Sequence, residues 1–299
     1  MADINYFQIT GKYLRFFKVF DPYDFLFEMD LKGGFAIGVS KHIADTSEDM
    51  PVGLMVADAD EDRITVKWIY VAAEARGLGI GTRLMEYAFM ESKARGFDRL
   101  AVRVTDEYDT NGLEWSSETF FYDLEFDNVE NELPEWSIRV TDLYDEKEGY
   151  KHTDKGVNIT PLSEMKEKEV KGFYEFLRTR YKKQLNYDVE KMEKFADPMI
   201  SYAWQQGKEL KGYLLTARSD ENIYPIAFMA GNPNDELTLA ASAIQVSEDC
   251  ARPEDILRVK CMSFGDEDLM KRLSFPSDPI NVKYFTAGVS GHVAKKETR

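Results

Sequence analysis

The fold of this 299-residue chain is decided by the stretch Ile69-Tyr-Val-Ala-Ala-Glu-Ala-Arg-Gly-Leu-Gly-Ile-Gly-Thr-Arg-Leu-Met85. It ends a predicted strand at 64–71 and begins a predicted helix at 82–95. The loop between them holds Arg76, Gly77, Gly79 and Gly81. Glycines let main-chain N–H groups approach a ligand closely, and a helix N-terminus adds unpaired donors and a partial positive charge. The stretch therefore predicts a loop that binds phosphate or pyrophosphate.

The segments around this loop predict a mixed α/β unit. The strand before the loop alternates between two sets of residues with a period near two. The first set is Ile64, Val66, Trp68 and Tyr70, and the second is Thr65, Lys67 and Ile69. Further strands are predicted at 34–40, 52–58, 100–104 and 136–140, and a second helix is predicted at 114–124.

Two common phosphate-binding motifs do not fit the loop. A Walker loop ends in Gly-Lys-Ser/Thr, whereas this one ends in Gly81-Thr82-Arg83. The dinucleotide pattern G-x-G-x-x-G fails because Gly81 follows Gly79 one residue too early. The spacing that fits is R-x-x-G-x-G, with Arg76, Gly79 and Gly81.

This segment resembles the coenzyme A pyrophosphate loop of the GCN5-related N-acetyltransferases, the GNAT superfamily. The resemblance covers roughly residues 34–140, because strand, loop, helix, strand and the segment Phe120-Phe-Tyr-Asp-Leu-Glu-Phe126 come in family order. It implies a mixed α/β sheet, the acyl-CoA N-acyltransferase fold, with acetyl-CoA as the cofactor. It also implies a strand that diverges from its neighbour and direct attack of an amine on the thioester.

The resemblance assigns ten residues to coenzyme A. The main-chain N–H groups of the loop would hold the pyrophosphate, and the end of the strand would pair with the pantetheine arm. The loop residues are Arg76, Gly77, Leu78, Gly79, Ile80, Gly81 and Thr82, and the strand residues are Ile69, Tyr70 and Val71.

The chain departs from the family at the proton-transfer positions. In a helix motif close to A-x-x-x-Y-x-x-x-G-F, Phe121 takes the tyrosine position, and Tyr122 lies one residue later, about 100° around the helix. Thr65 and Lys67 stand where many members have a glutamate. The catalytic candidates are therefore Tyr122 as acid and Glu114 as base through water, with Glu118, Asp106 and Asp109 as further candidates. The alternative for Tyr122 is a core or surface aromatic, and the alternative for each acid is a solvated side chain.

The net charge of −16 arises from 38 basic and 54 acidic residues. It makes nucleic acid and anionic membranes unsuitable partners. Residues 105–148 alone hold 15 acidic and two basic residues. In the family this segment lines the acceptor side, so the sequence predicts a small-molecule or peptide amine: a polyamine, an aminoglycoside, a lysine side chain or an amino terminus. A solubilising acidic face is the alternative.

A composition break divides the chain. Residues 1–150 hold 15 basic and 31 acidic residues, whereas 151–299 hold 23 of each. We predict domains at 1–148 and 157–299. The element order of the second parallels the first, yet its loop, Gly231-Asn-Pro-Asn-Asp-Glu236, has no arginine and two acids. This predicts a degenerate copy without coenzyme A, which completes the acceptor cleft or forms a homodimer interface. An unrelated α+β domain is the alternative.

The remaining composition narrows the chemistry. Two cysteines favour a reducing compartment, and no apolar run reaches the roughly 18–20 residues of a membrane helix, so we expect a cytoplasmic protein. Three scattered histidines predict no metal site. The main prediction is an acetyl-CoA-dependent N-acetyltransferase. Its rivals are a non-catalytic acyl-CoA-binding or regulatory protein and a transferase with a different acyl donor.

Overall fold

The structure is a computed structural model of the chain. It describes residues 4–11, 13–21, 23–32, 34–42, 49–59, 62–105, 117–126, 128–145, 159–180, 189–207, 209–248, 250–260, 264–273 and 277–289. Within these ranges, no helix combines the length and the apolar character needed to cross a membrane.

The chain divides into two compact units. One contains Met1–Glu132 and Val282–Arg299, and the other contains Leu133–Asn281. These bounds differ from the predicted 1–148 and 157–299 because strand pairing reaches far along the chain. Residues 135–139 pair with 256–260 in the second unit, and residues 282–288 pair with 99–105 in the first.

The first unit is a mixed sheet with helices, as the sequence predicted. Its strands are β1 (Ile4–Gln8), β2 (Phe35–His42), β3 (Asp49–Ala59), β4 (Ile64–Val71), β5 (Arg99–Thr105) and, from the end of the chain, β12 (Ile280–Gly288). Its helices are α1 (Leu14–Phe17), α2 (Phe25–Lys32), α3 (Ile80–Ala94) and α4 (Ser117–Asp123). The strand order is β1-β2-β3-β4-β5-β12, and only the β4–β5 pair is parallel.

The helix α3 covers one face of this sheet. Its buried positions recur at steps of three and four: Ile80, Leu84, Met85, Ala88, Phe89 and Ser92. They pack with sheet residues such as Val66, Val102 and Phe285. The helix ends as predicted, because Gly96 follows it with a φ of 78°.

A β-bulge interrupts the alternation predicted for β4. Trp68 is opposite Val56 while Val66 is opposite Ala57, so Lys67 is an extra residue on β4. Val66 packs on the α3 side, but Trp68 packs on the other side, against the core beneath α1 and α2. The bulge therefore places Lys67 and Trp68 successively on the side away from α3, which a strict period of two does not predict.

The second unit is also a mixed sheet with helices. Its strands are β6 (Asn128–Arg139, from residue 133), β7 (Ile159–Pro161), β8 (Tyr202–Gln206), β9 (Glu209–Ser219), β10 (Asn222–Ala230) and β11 (Ile256–Lys260). Its helices are α5 (Val140–Asp145), α6 (Glu167–Arg180), α7 (Val189–Phe195), α8 (Pro233–Ser247) and α9 (Phe264–Arg272). The strand order is β6-β11-β10-β9-β8-β7.

The second unit repeats the central pattern of the first. An antiparallel pair, β9–β10, carries a register shift between Pro225 and Ala227, as β3–β4 carries one at Lys67. A 15-residue helix follows in each unit, α3 or α8. A strand parallel to the bulged one comes next, β5 or β11. The predicted second copy therefore has the matching topology.

Candidate functional site

Between β4 and α3 the chain makes an open loop. After Val71 it passes through a 3-10 turn, Ala73–Ala75, to Gly77 and Gly79, whose φ angles are 77° and 74°. Glycine adopts this left-handed conformation without the penalty that other residues meet. A Cβ atom at either glycine would have no neighbour within 4 Å. The glycines therefore serve the backbone turn, and the space beside them is open.

The N-terminus of α3 is uncapped. Gly79 is its N-cap residue, no side chain caps it, and its first turn contains no acidic residue. The first N–H groups of a helix have no partner inside the helix. Those of Ile80, Gly81 and Thr82 are therefore donors at the positive end of a helix dipole, the arrangement that binds an anion.

The two arginines of the loop region behave differently. The Arg76 side chain is exposed, and its Nε–H donates to the Val71 carbonyl oxygen at 3.0 Å, which ties the loop to the end of β4. Arg83 instead pairs with Glu86, with 2.7 Å between Nη1 and Oε2. Hydrogen bonding to Glu86 raises the pKa of Arg83. Arg76 is thus the loop cation, and Arg83 is engaged on the helix surface.

Next to the loop, β4 and β5 separate. They pair only at Ile64–Leu100, Thr65–Ala101 and Val66–Val102. Beyond this point β4 stays paired with β3 up to Val71, and β5 stays paired with β12 up to Thr105. The divergence implied by the resemblance is present. It leaves residues 67–71 with an edge that β5 does not cover, and it brings Ile69, Tyr70 and Val71 beside the loop at 76–82.

The helix α4 packs near the start of α3. A Cβ atom on Gly81 would lie 3.3 Å from Phe120 Cζ, so a larger side chain there would press on α4. Phe121, at the predicted tyrosine position, is buried and packs edge-on against Phe126. Glu125 has a φ of 65°, a left-handed conformation at the position where the family motif has glycine.

Of the predicted proton-transfer candidates, Tyr122 lies among the residues that the structure describes. Tyr122 is 49% exposed, and its ring packs edge-on against Phe285 with centroids 5.4 Å apart. Phe285 belongs to the core beneath α3, so Tyr122 lies on the α3 side of the sheet. The candidates Glu114, Asp106 and Asp109, and the side chain of Glu118, lie outside the described residues. Residues 106–116, 127 and 146–148 of the acidic segment 105–148 also lie there.

The opposite face carries a polar cluster that the sequence did not indicate. Lys67 Nζ lies 3.5 Å from Asp58 Oδ2 and 5.3 Å from the centroid of the Tyr284 ring. Asp58 is the register partner of Thr65, and Tyr284 is that of Arg103. We call Asp58, Thr65, Lys67, Arg103 and Tyr284 the polar face. Neither the bulge at Lys67 nor the pairing of β12 with β5 leaves a local signal in the sequence.

The second unit closes the corresponding helix end. Only residues 231–232 separate β10 from α8, compared with 72–79 in the first unit. The Asn232 side chain caps α8 by accepting from the N–H groups of Asn234 and Asp235. Pro233 at the helix start has no N–H, and the first turn holds Asp235 and Glu236. This end therefore has neither the loop nor the donors of an anion site.

Part of the first unit matches a known protein family by sequence. Residues 14–113 match the model of the Acetyltransferase (GNAT) family. These residues form a GNAT domain. The match includes the loop at 76–82 and both strands that diverge beside it. Membership of this family implies transfer of an acyl group from an acyl-CoA to an amine. No curated protein sequence matches the chain.

Solved structures show the same fold over nearly the whole chain. A tandem GNAT protein from the clavulanic acid biosynthesis pathway superposes with a TM-score of 0.64 at 11% identity, covering 96% of this chain and 99% of that one. A GCN5-related N-acetyltransferase from Sphaerobacter thermophilus gives a TM-score of 0.54 at 12% identity, covering 85% and 80%. The chain therefore has a GNAT fold, and the similar structures include a tandem GNAT protein.

Proposed function

We propose that this protein transfers an acetyl group from acetyl-CoA to a primary amine. The proposal depends on one arrangement: the uncapped N-terminus of α3, with Gly77 and Gly79 in left-handed conformation, lies beside the open edge of β4. Both features belong to the part of the chain that matches the GNAT family.

Acetyl-CoA would be held by main-chain groups in the first unit. The N–H groups of residues 76–82 suit the pyrophosphate, because they combine helix-end donors with the nearby Arg76 charge. The edge of β4 at Ile69–Val71, which β5 does not cover, offers main-chain groups to the pantetheine amides, as a strand edge does to an added strand. The bound thioester supplies the activated carbonyl carbon. The chain's contribution is to position it at the gap between β4 and β5.

The acceptor is proposed to be an amine that is cationic at neutral pH. The 15 acidic and two basic residues of 105–148 support this proposal, because a negative field raises the local concentration of cations. Spermidine, kanamycin, L-lysine and a lysine-containing peptide form a suitable panel. If steering operates, added salt lowers kcat/KM for the best acceptor. A flat salt dependence would remove the steering argument and leave the chemistry unchanged.

Tyr122 is proposed to protonate the leaving thiolate. Its exposed side chain on α4 lies beside Phe285, on the α3 side of the sheet. Replacing Tyr122 with phenylalanine keeps the ring contact and removes the hydroxyl. We expect kcat to fall by about 100-fold or more, with little change in KM for acetyl-CoA. Full turnover by Tyr122→Phe would exclude this role.

The test of the function is thiol release from acetyl-CoA in the presence of the acceptor panel. We expect amine-dependent release by the intact chain, with an acetylated amine as the second product. Competition by longer acyl-CoAs tests the choice of donor. If a longer acyl-CoA is the better donor, the acetyl assignment fails while acyl transfer stands.

A second candidate function is acyl-CoA binding without catalysis. The observation that favours it is the buried Phe121, which stands at the tyrosine position of the family motif. Tight binding of acetyl-CoA without thiol release, with every acceptor of the panel, would favour this alternative over the transferase.

A further inference from the structure

The bulge in β4 places a lysine at the mouth of the gap. Lys67 follows Val66, which is the last residue of β4 that pairs with β5. Its ammonium group lies between two residues of the polar face: Asp58 Oδ2 at 3.5 Å and the Tyr284 ring at 5.3 Å from its centroid. The Lys67 side chain keeps 14% of its surface exposed, whereas that of Asp58 keeps 2%. Lys67 is thus the member of the pair that solvent or a ligand can reach.

The interior around this pair is polar. The hydroxyl oxygens of Thr65 and Thr105 are buried and make no hydrogen bond within the described part of the chain. Arg103 lies on β5 two residues before Thr105, and its guanidinium packs over the Phe25 ring at 5.2 Å. The neighbouring charged and titratable groups of the polar face are Arg103 on β5 and Tyr284 on β12, and α2, which packs on β3, carries the buried Glu28.

A structural role alone is a weak explanation for such a pair. Removing two charges from water has a large desolvation cost, and apolar residues of similar volume usually stabilise a fold at least as well. The position of the pair is more informative. It lies where β4 and β5 separate, on the face of the sheet away from Tyr122.

We infer that Lys67 and Asp58 together accept the proton of the attacking amine. This inference rests on the proposed acyl transfer. The amine attacks as its free base, after its ammonium proton has gone to solvent. As the nitrogen–carbon bond forms, the nitrogen gives a further proton to Lys67 Nζ while Lys67 gives one of its own to Asp58. The carbon–sulfur bond breaks, its electron pair goes to sulfur, and sulfur takes a proton from Tyr122 or water. Lys67 remains an ammonium group throughout. After the products leave, Asp58 releases its proton to solvent, and Tyr122 takes a proton from solvent.

The decisive variant is the double substitution Asp58→Asn with Lys67→Met, because it removes both charges of the pair together. We expect it to lower kcat by about 100-fold or more with the best acceptor of the panel. Calorimetry should show unchanged binding of acetyl-CoA, and the melting temperature should not fall. The wild-type rate should level off as pH rises, whereas the rate of the double variant should keep rising as hydroxide replaces the missing base.

Two controls make the result specific. Glu91→Gln breaks the exposed pair between Glu91 and Arg95 on α3 and should leave the rate unchanged. Glu114→Gln removes the base predicted from the sequence. A double variant with the wild-type rate and pH profile would overturn the inference. A loss of rate of about 100-fold in Glu114→Gln that the double variant does not show would also overturn it. Absence of turnover by the intact chain would instead count against the proposed function itself.

Discussion

Asn232 accepts hydrogen bonds through its side-chain oxygen from the main-chain N–H of Asn234 at 3.0 Å and from that of Asp235 at 3.1 Å. The equivalent helix end in the first unit begins at Gly79, which has no side chain to do the same. The two units therefore share a topology and differ in the donors that their central helices present. The N-terminus of α3 is open to an anion, whereas the N-terminus of α8 is closed by the Asn232 side chain.

Asn232→Ala should destabilise the protein by about 1 kcal/mol, the usual cost of losing an N-cap. It should not create a second coenzyme A site, because Pro233 lacks an N–H and Asp235 and Glu236 repel phosphate. Urea unfolding measures the first effect, and calorimetric stoichiometry measures the second. Binding of two molecules of acetyl-CoA per chain by this variant would show that the cap alone had closed the site.

Gly81→Val should weaken acetyl-CoA binding and destabilise the first unit. A Cβ atom there already lies 3.3 Å from Phe120 Cζ, and the branched methyl groups would force α4 outward. Overpacking of this kind costs about 1–3 kcal/mol. Gly81→Ala is the matched control, since Phe120 needs to move by only a few tenths of an ångström. Equal affinity and stability in both variants would show that α4 does not constrain the loop.

The stability of the protein should depend on the protonation of Asp21. Burial raises the pKa of this carboxyl to about 6. Its oxygens also accept from the N–H groups of Phe25 and Leu26, at 2.9 and 2.7 Å. The pKa of Asp21 is higher in the folded than in the unfolded chain, so the neutral carboxyl stabilises the fold. This contribution to stability is fully present below about pH 4 and is lost as pH rises through about 6. We expect a fall in unfolding free energy of up to about 3 kcal/mol across that window.

Asp21→Asn tests this dependence because asparagine cannot ionise. The variant should lose most of the pH dependence between about pH 4 and pH 6 in urea unfolding. The exposed Asp98→Asn serves as the control and should keep the wild-type slope. An unchanged slope in Asp21→Asn would assign the pH dependence to other groups.

A chain that ends at residue 281 should fail to form the first unit. It would lack β12, which pairs with β5 along 99–105 and places Phe285, Ala287 and Val289 in the core beneath α3. Loss of Phe285 alone has an expected cost of about 3–5 kcal/mol. A chain that ends at residue 289 keeps the strand and is the control. Circular dichroism and acetyl-CoA binding compare the two, and equal behaviour would contradict the pairing.

The predictable parts of the molecule are those that local spacing controls. The glycines and Arg76, the strand before them and the periodic face of α3 lie within about thirty residues, so the sequence alone indicated the loop and its helix. The departure of Phe121 and Glu125 from the family motif is likewise visible in the sequence, whereas the burial of Phe121 and the φ angle of Glu125 are not.

The parts that were not predicted depend on long-range register. The bulge at Lys67 becomes visible only when β4 is aligned with β3, and it reverses the side on which Trp68 lies. Tyr284 reaches the polar face because a strand from the end of the chain pairs with β5. Asp58 is the last residue of the strand predicted at 52–58, and the structure places it inside β3, where it is buried. No spacing rule in the sequence brings Asp58, Lys67 and Tyr284 together.

The most direct test of the account is calorimetry of acetyl-CoA with the intact chain, Gly79→Glu and Gly96→Glu. Gly96 lies at the other end of α3 with a φ of 78° and equally open surroundings, so it reproduces the backbone strain and the added charge away from the loop. We predict one molecule bound per chain by the wild type and by Gly96→Glu, and no measurable binding by Gly79→Glu. Equal binding by all three proteins, or none by the wild type, would contradict the account.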